Sequence, residues 1–104
     1  MEELVVCSVG DLRPGEVKIV RSGQIAVGVF NADGEFYALE DRCSHDDGPL
    51  AEGEFELEEC IVTCPRHGSR FDVRTGRPLT LPAYLPVDTF EVRVEDGLVK
   101  LVLP

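Results

Sequence analysis

A chain of 104 residues can build one compact domain around one modest core and is too short for two domains with separate cores. Its 43% apolar content excludes a disordered chain, even with twenty acidic side chains against ten basic ones and a net charge of −10. That charge repels nucleic acid and anionic membranes and favours partners with a basic face, although acidity also serves plain solubility.

The N-terminal stretch MEELVVCSVG carries early glutamates and no basic segment ahead of a long apolar run, so no secretory signal is expected. No stretch has the length of a membrane-spanning helix. The expected location is the cytoplasm, a reducing compartment in which paired cysteines serve as metal ligands more often than as disulfides. Residues 16–21 alternate charged with apolar side chains, Ser22 and Gly23 turn the chain, and residues 24–30 return apolar on both faces. This is the pattern of a hairpin with one buried arm. Asp33 and Gly34 turn the chain again before a strand over residues 35–39.

Further on, Glu52, Glu54, Glu56 and Glu58 alternate with Gly53, Phe55 and Leu57, which predicts a short strand with an acidic outer face. A hairpin is expected between residues 54–57 and 60–63, with Cys60 opening its second strand. In residues 87–95, Phe90, Val92 and Val94 share one side and Thr89, Glu91 and Arg93 the other, so one face packs and one is wet. Asp96 and Gly97 then separate that strand from the last. Nowhere do apolar residues recur at helical spacing for three turns. The expectation is an all-β fold of small antiparallel sheets forming a single domain over residues 1–104.

Both histidines and three of the four cysteines fall in residues 43–72, CSHDDGPLAEGEFELEECIVTCPRHGSRFD. Cys43 and His45 make one tip, Cys64 and His67 the other, and the chain between them is long enough for a loop, a short hairpin and a second loop. Two such tips can close a tetrahedral zinc site, or hold a binuclear iron–sulfur cluster with two cysteines on one iron and two histidines on the other. Zinc fingers keep their cysteines together and their histidines together. Here each tip supplies one of each, which suits a cluster clamped between loops because each loop then reaches both irons. Cys7 and Cys60 lie in valine-containing runs and are read as small buried apolar residues.

CSHDDGPL followed by CPRHGSRFD resembles the Rieske family, and most of all the small ferredoxins of bacterial multicomponent ring-hydroxylating oxygenases; the resemblance spans nearly the whole chain. It implies one 2Fe-2S cluster in a Rieske-like β-sandwich, with a cluster-binding subdomain over about residues 41–74. In that family pattern Cys43 and Cys64 ligate the buried ferric iron, and His45 and His67 ligate the outer iron that changes valence. Ser69 is placed to offer its hydroxyl to a sulfide, Gly48 and Gly68 to let the loops turn beside the cluster, and Pro82 belongs to a proline-containing third loop, residues 81–86, that covers it.

Such a cluster is formally neutral when oxidised, whereas an all-cysteine one is already doubly negative, so histidine ligation raises the potential into a range of roughly −150 to +300 mV. Phe71 stands where high-potential relatives have a tyrosine, and Gly48 and Arg66 where they carry extra cysteines. The resemblance therefore implies a potential near the low end of that range.

No histidine is left for the mononuclear iron of an oxygenase, and no nucleophile–base pair or phosphate-binding glycine loop is present. The chain is read as a one-electron carrier and not an enzyme. The resemblance implies that it passes electrons from an NAD(P)H-dependent flavoprotein reductase to a terminal oxygenase. The small subunit of a nitrite-reductase-type complex and a structural zinc module are the alternatives. Asp46 and Asp47 beside His45 extend an acidic rim expected to steer docking, and a small shuttle of this kind gains from being monomeric.

Overall fold

The computed structural model describes residues 2–44 and 48–104. Its strands are β1 (Glu2–Ser8), β2 (Val17–Ser22), β3 (Ile25–Ala32), β4 (Glu35–Glu40), β5 (Phe55–Glu56), β6 (Ile61–Thr63), β7 (Arg70–Asp72), β8 (Thr89–Glu95) and β9 (Leu98–Leu103), with a 3₁₀ turn at Val9–Asp11. All strand pairs among the described residues are antiparallel. No helix among them is long and apolar enough to cross a membrane.

Asp-Gly steps set two of the hairpins. Ala32 faces Glu35 with Asp33 and Gly34 between them at φ 57° and 97°, and Glu95 faces Leu98 with Asp96 and Gly97 at φ 53° and 75°. Two left-handed residues in a two-residue loop match the twist of the flanking strands, which is why Asp-Gly is favoured there.

A six-stranded sheet has the order β1-β9-β8-β4-β3-β2, and a three-stranded sheet the order β5-β6-β7. The larger sheet curls until its edge strands approach, with Ser22 Oγ donating to Glu2 Oε1 at 3.3 Å. Residues 41–88 are inserted between β4 and β8, yet those two strands pair directly, Ala38 with Phe90 and Leu39 with Thr89. The Glu40 amide also donates to Asp88 O at 2.9 Å. Both ends of the insertion are thereby pinned side by side on the large sheet.

The core has two parts, and β3 and β4 separate them. Val27, Val29 and Ala38 pack with Leu12, Val99, Leu101 and Leu103 inside the curl. Phe30 and Leu39, pointing the other way, pack with Leu50, Val62, Phe71 and Val73 of the insertion. A strand buried on both faces reads as a continuous apolar run, which accounts for residues 24–30. At Gly28 the contact is so close that an added Cβ would overlap Ala51 Cβ.

The acidic stretch departs from the expected strand. Only Phe55 and Glu56 pair with β6, while Glu52 and Glu58 lie in turns. The reason is geometric: Gly53 approaches Thr63 O so closely that no side chain fits, and the chain reverses again over residues 57–60. Cys60 does not open β6; it ends that reversal at φ 57°, and the strand starts at Ile61. In β8, Phe90 and Val92 are half-buried as expected, whereas Val94 at its end is 51% exposed.

Gly53→Ala drives a methyl group into the Thr63 carbonyl and should lower stability by about 3 kcal/mol. Gly10→Ala, with nothing within 4 Å of the added carbon, should change it by less than about 0.5 kcal/mol. Thermal unfolding of both variants beside wild type measures the difference.

Candidate metal centre

The first loop of the insertion leaves β4 at Asp41. Its amide donates to Ala26 O at 2.8 Å, and its Oδ1 accepts from the amides of Leu50 and Ala51 at 2.9 and 2.7 Å. One short carboxylate thus joins the start of the loop to its return, nine and ten residues further along the chain. Within that frame the Cys43 amide donates to Gly48 O at 2.7 Å, and both Cys43 and Gly48 are buried.

The second loop, between β6 and β7, repeats the device. The Cys64 amide donates to Ser69 O at 2.7 Å, and the Gly68 amide to Cys64 O at 3.0 Å. Gly68 takes φ 76°, which a residue with a Cβ adopts only with strain. In each loop the cysteine amide reaches the carbonyl five positions on, so the two turns have the same span. Cys43 and Cys64 are each 1% exposed, while His67 is exposed. His45 lies outside the described residues. Among the described residues no group of three His, Cys, Asp or Glu side chains gathers where one ion could bind them all.

A third segment joins both loops. Leu79 donates its amide to Arg70 O at 2.6 Å, and the Arg70 amide donates to Thr80 Oγ1 at 2.9 Å. The Ala83 amide donates to Ser69 Oγ at 3.0 Å, and Ser44 Oγ donates to Leu85 O at 2.5 Å. Pro82, after a cis peptide bond with Leu81, is half-buried between these ties.

The Ser69 side chain is the most informative polar group in this region. It is fully buried and its oxygen accepts from Ala83, but among the described residues its hydroxyl proton reaches no acceptor. A buried donor left unmade costs about 1–3 kcal/mol, so such a group calls for an acceptor beyond the described residues. The donor chemistry fits a 2Fe-2S cluster: two buried thiols, an imidazole at the surface, and a buried hydroxyl in the loop of the second thiol. Phe71, two positions beyond Ser69, is fully buried and adds no hydroxyl.

The remaining cysteines are placed differently. Cys60 is fully buried in the core of the insertion, and Cys7 is half-buried on β1 at a register shift. Burial pushes the Cys60 thiol up from its ordinary value, opposed by Arg74 and assisted by Asp72 and Glu35. Asp41 and Ser44 do not stand out in the sequence, because neither carries a signal for its distant partner.

The Rieske [2Fe-2S] domain family matches residues 2–91. The chain is 46% identical over 98 residues to the ferredoxin component of biphenyl 2,3-dioxygenase from Rhodococcus jostii (strain RHA1), covering 92% of this chain and 90% of that protein. Among solved structures, the ferredoxin of carbazole 1,9a-dioxygenase from Nocardioides aromaticivorans IC177 has a TM-score of 0.91 at 33% identity, over 97% of each chain. A chain in the complex of reduced oxygenase and oxidized ferredoxin in carbazole 1,9a-dioxygenase has a TM-score of 0.88 at 37% identity, over 95% of this chain and 91% of that one.

As pH rises through the ordinary thiol range, the unfolded chain gives up the Cys60 proton while the folded chain keeps it. Stability is therefore whole below about pH 8 and declines above it. The thermal midpoint of Cys60→Ala, scanned at a fixed rate, should fall less between pH 8 and 10 than that of wild type.

Proposed function

The chain belongs to the Rieske [2Fe-2S] family, and from that premise we propose that Cys43, His45, Cys64 and His67 hold its 2Fe-2S cluster, cysteines on the inner iron and histidines on the outer. It is the electron-carrying component of a dioxygenase system and not a catalyst. The carrier delivers electrons to a terminal oxygenase and, in the finer reading, receives them from an NAD(P)H-dependent flavoprotein reductase. One domain over residues 1–104, working in the cytoplasm, completes the proposal.

What supports the ligand reading is the pair of cysteine-amide bonds of equal span, each beside a buried cysteine, with the buried Ser69 hydroxyl meeting no acceptor among the described residues. The cluster supplies a one-electron couple. The residues around it do the rest. Cys43 and Cys64 keep their sulfurs away from water, and their amides are already bonded within their own loops. His67 stands at the surface, where an electron can pass to a docked partner. Ser69, held by Ala83, is placed to donate to sulfur and so to favour the reduced, more negative state. The hydrogen bonds that Asp41 accepts and that Ser44 and Arg70 donate limit how far either loop shifts when the charge changes. A midpoint near the low end of the family's range accompanies this reading, since Phe71 offers no further donor.

Reconstitution tests the carrier role: NADH, the reductase and oxygenase of the Rhodococcus jostii biphenyl system, and this chain should oxidise biphenyl, and omitting the chain should stop the reaction. Cys43→Ala, Cys64→Ala, His45→Ala and His67→Ala should each lose the visible absorption and bound iron, whereas Cys7→Ala and Cys60→Ala should keep both. Ser69→Ala should keep the cluster and lower the midpoint by about 60 mV, the one-electron equivalent of a hydrogen bond worth about 1.4 kcal/mol. Voltammetry reads that shift directly.

A further inference from the structure

The two loops of the metal centre are not held by the large sheet in the same way. The first is fixed to it: the Asp41 amide bonds to Ala26 O at 2.8 Å, the Asp41 carboxylate holds Leu50 and Ala51, and Ala51 rests on Gly28. The second belongs to the three-stranded sheet, with Cys64 following β6 and Ser69 preceding β7. Among the described residues, the backbone hydrogen bonds of β5, β6, β7 and the turn at residues 73–76 stay within the insertion. The small sheet therefore lies on the large one by side-chain packing. A tilt about the paired ends of the insertion carries the Cys64 loop away from the Cys43 loop.

Ala83 and Leu85 tie the two loops on one side. At the turn of the β3–β4 hairpin the two sheets part around a cleft of about 500 Å³, lined by Ala32, Asp33 and Glu35 of the hairpin and by Leu57, Glu58 and Arg74 of the insertion. Arg74 bridges it. Its amide donates to Asp72 Oδ1 at 2.9 Å, which fixes where its side chain sets out, and its guanidinium donates to the Tyr37 hydroxyl oxygen. Tyr37 in turn donates to Glu35 Oε2 at 2.5 Å, and its ring packs against the core of the insertion. Since Glu35 and Tyr37 both lie on β4, this chain of bonds joins the end of the small sheet to the large one. Charge acts in the same direction. Arg74 is the cation among three carboxylates that line the cleft; without it, Asp33 and Glu35 on one wall face Glu58 on the other, and like charges across a gap repel.

Resting on the ligand reading above, we infer that Arg74 and Tyr37 are positioning residues, a strap that holds the small sheet on the large one, and that its release is the motion through which the two cysteine loops separate and iron leaves or enters. Neither residue touches the cluster; both act through β6 and β7 on where Cys64 sits. Opening of this kind exposes one part of a fold while the rest stays closed, so it shows in one set of amides and not in the other.

The test uses holo-protein in excess EDTA, with loss of visible absorption as one readout and amide exchange of β6, β7 and β9 as the other. Arg74→Met and Tyr37→Phe should each bleach about threefold faster than wild type, the scale set by one exposed polar tie, and should exchange faster in β6 and β7 with β9 unchanged. The double variant should be no faster than Arg74→Met, since either change cuts the same strap. Arg74→Lys, which keeps a cation and a donor for Tyr37, should recover most of the wild-type rate. Arg93→Met, which breaks ion pairs confined to the large sheet, should bleach like wild type. Bleaching of Arg74→Met at the wild-type rate would overturn the strap and leave the ligand set standing. So would exchange that rises as much in β9 as in β6 and β7, or an Arg74→Lys protein that bleaches as fast as Arg74→Met. Wild type that holds no iron and sulfide would instead overturn the ligand reading, before any variant is compared.

Discussion

The amides of Cys43 and Cys64 each close on a carbonyl five residues downstream, and the rest of the site depends on that shared constraint. Each bond ties the backbone of a buried cysteine to a later point of its own loop, so both thiols are held inside the fold. The second turn leaves Pro65, Arg66, His67 and Gly68 exposed while burying Cys64 and Ser69 on either side of them. Inner thiol and outer imidazole therefore follow from the shape of one turn.

A turn this short holds its form only if its ends are held, and the fold provides that at increasing distance. Asp41 joins the two ends of the first loop; β6 and β7 flank the second; the segment after Pro78 ties both. Beneath them, the pairing of β4 with β8 brings the two ends of the insertion together on the large sheet. Phe30 and Leu39 then pack into the insertion from the same strands that bury Val29 and Ala38 on their other face. The sheet is thus a platform for the metal centre as well as a core of its own. The exposed apolar segment over residues 79–85 is the outward face of the same arrangement.

Much of this was legible in the sequence where a residue's chemistry speaks locally. Asp33-Gly34 and Asp96-Gly97 announced their hairpins because few other residue pairs accept the backbone they adopt. The run at residues 24–30 announced a strand buried on both faces. The alternating glutamates misled, since period-two patterning reports side-chain direction and cannot report that Gly53 must press against Thr63 O. At the site, the paired cysteine–histidine tips stood out by spacing, and Ser69 by its place after the second tip. The roles of Asp41, Ser44 and Ala83 were hidden, because each acts through a partner between nine and forty-one positions away. The folded chain alone brings such partners together.

The central claim is that two loops clamp two irons and two sulfides between buried thiols and outer imidazoles. Iron and acid-labile sulfide analysis of the purified protein, joined to low-temperature electron paramagnetic resonance after dithionite reduction, tests it most directly. The account predicts iron and sulfide in equal amount and a rhombic signal from the reduced cluster. Zinc without sulfide, in a colourless protein that gives no signal, would contradict it.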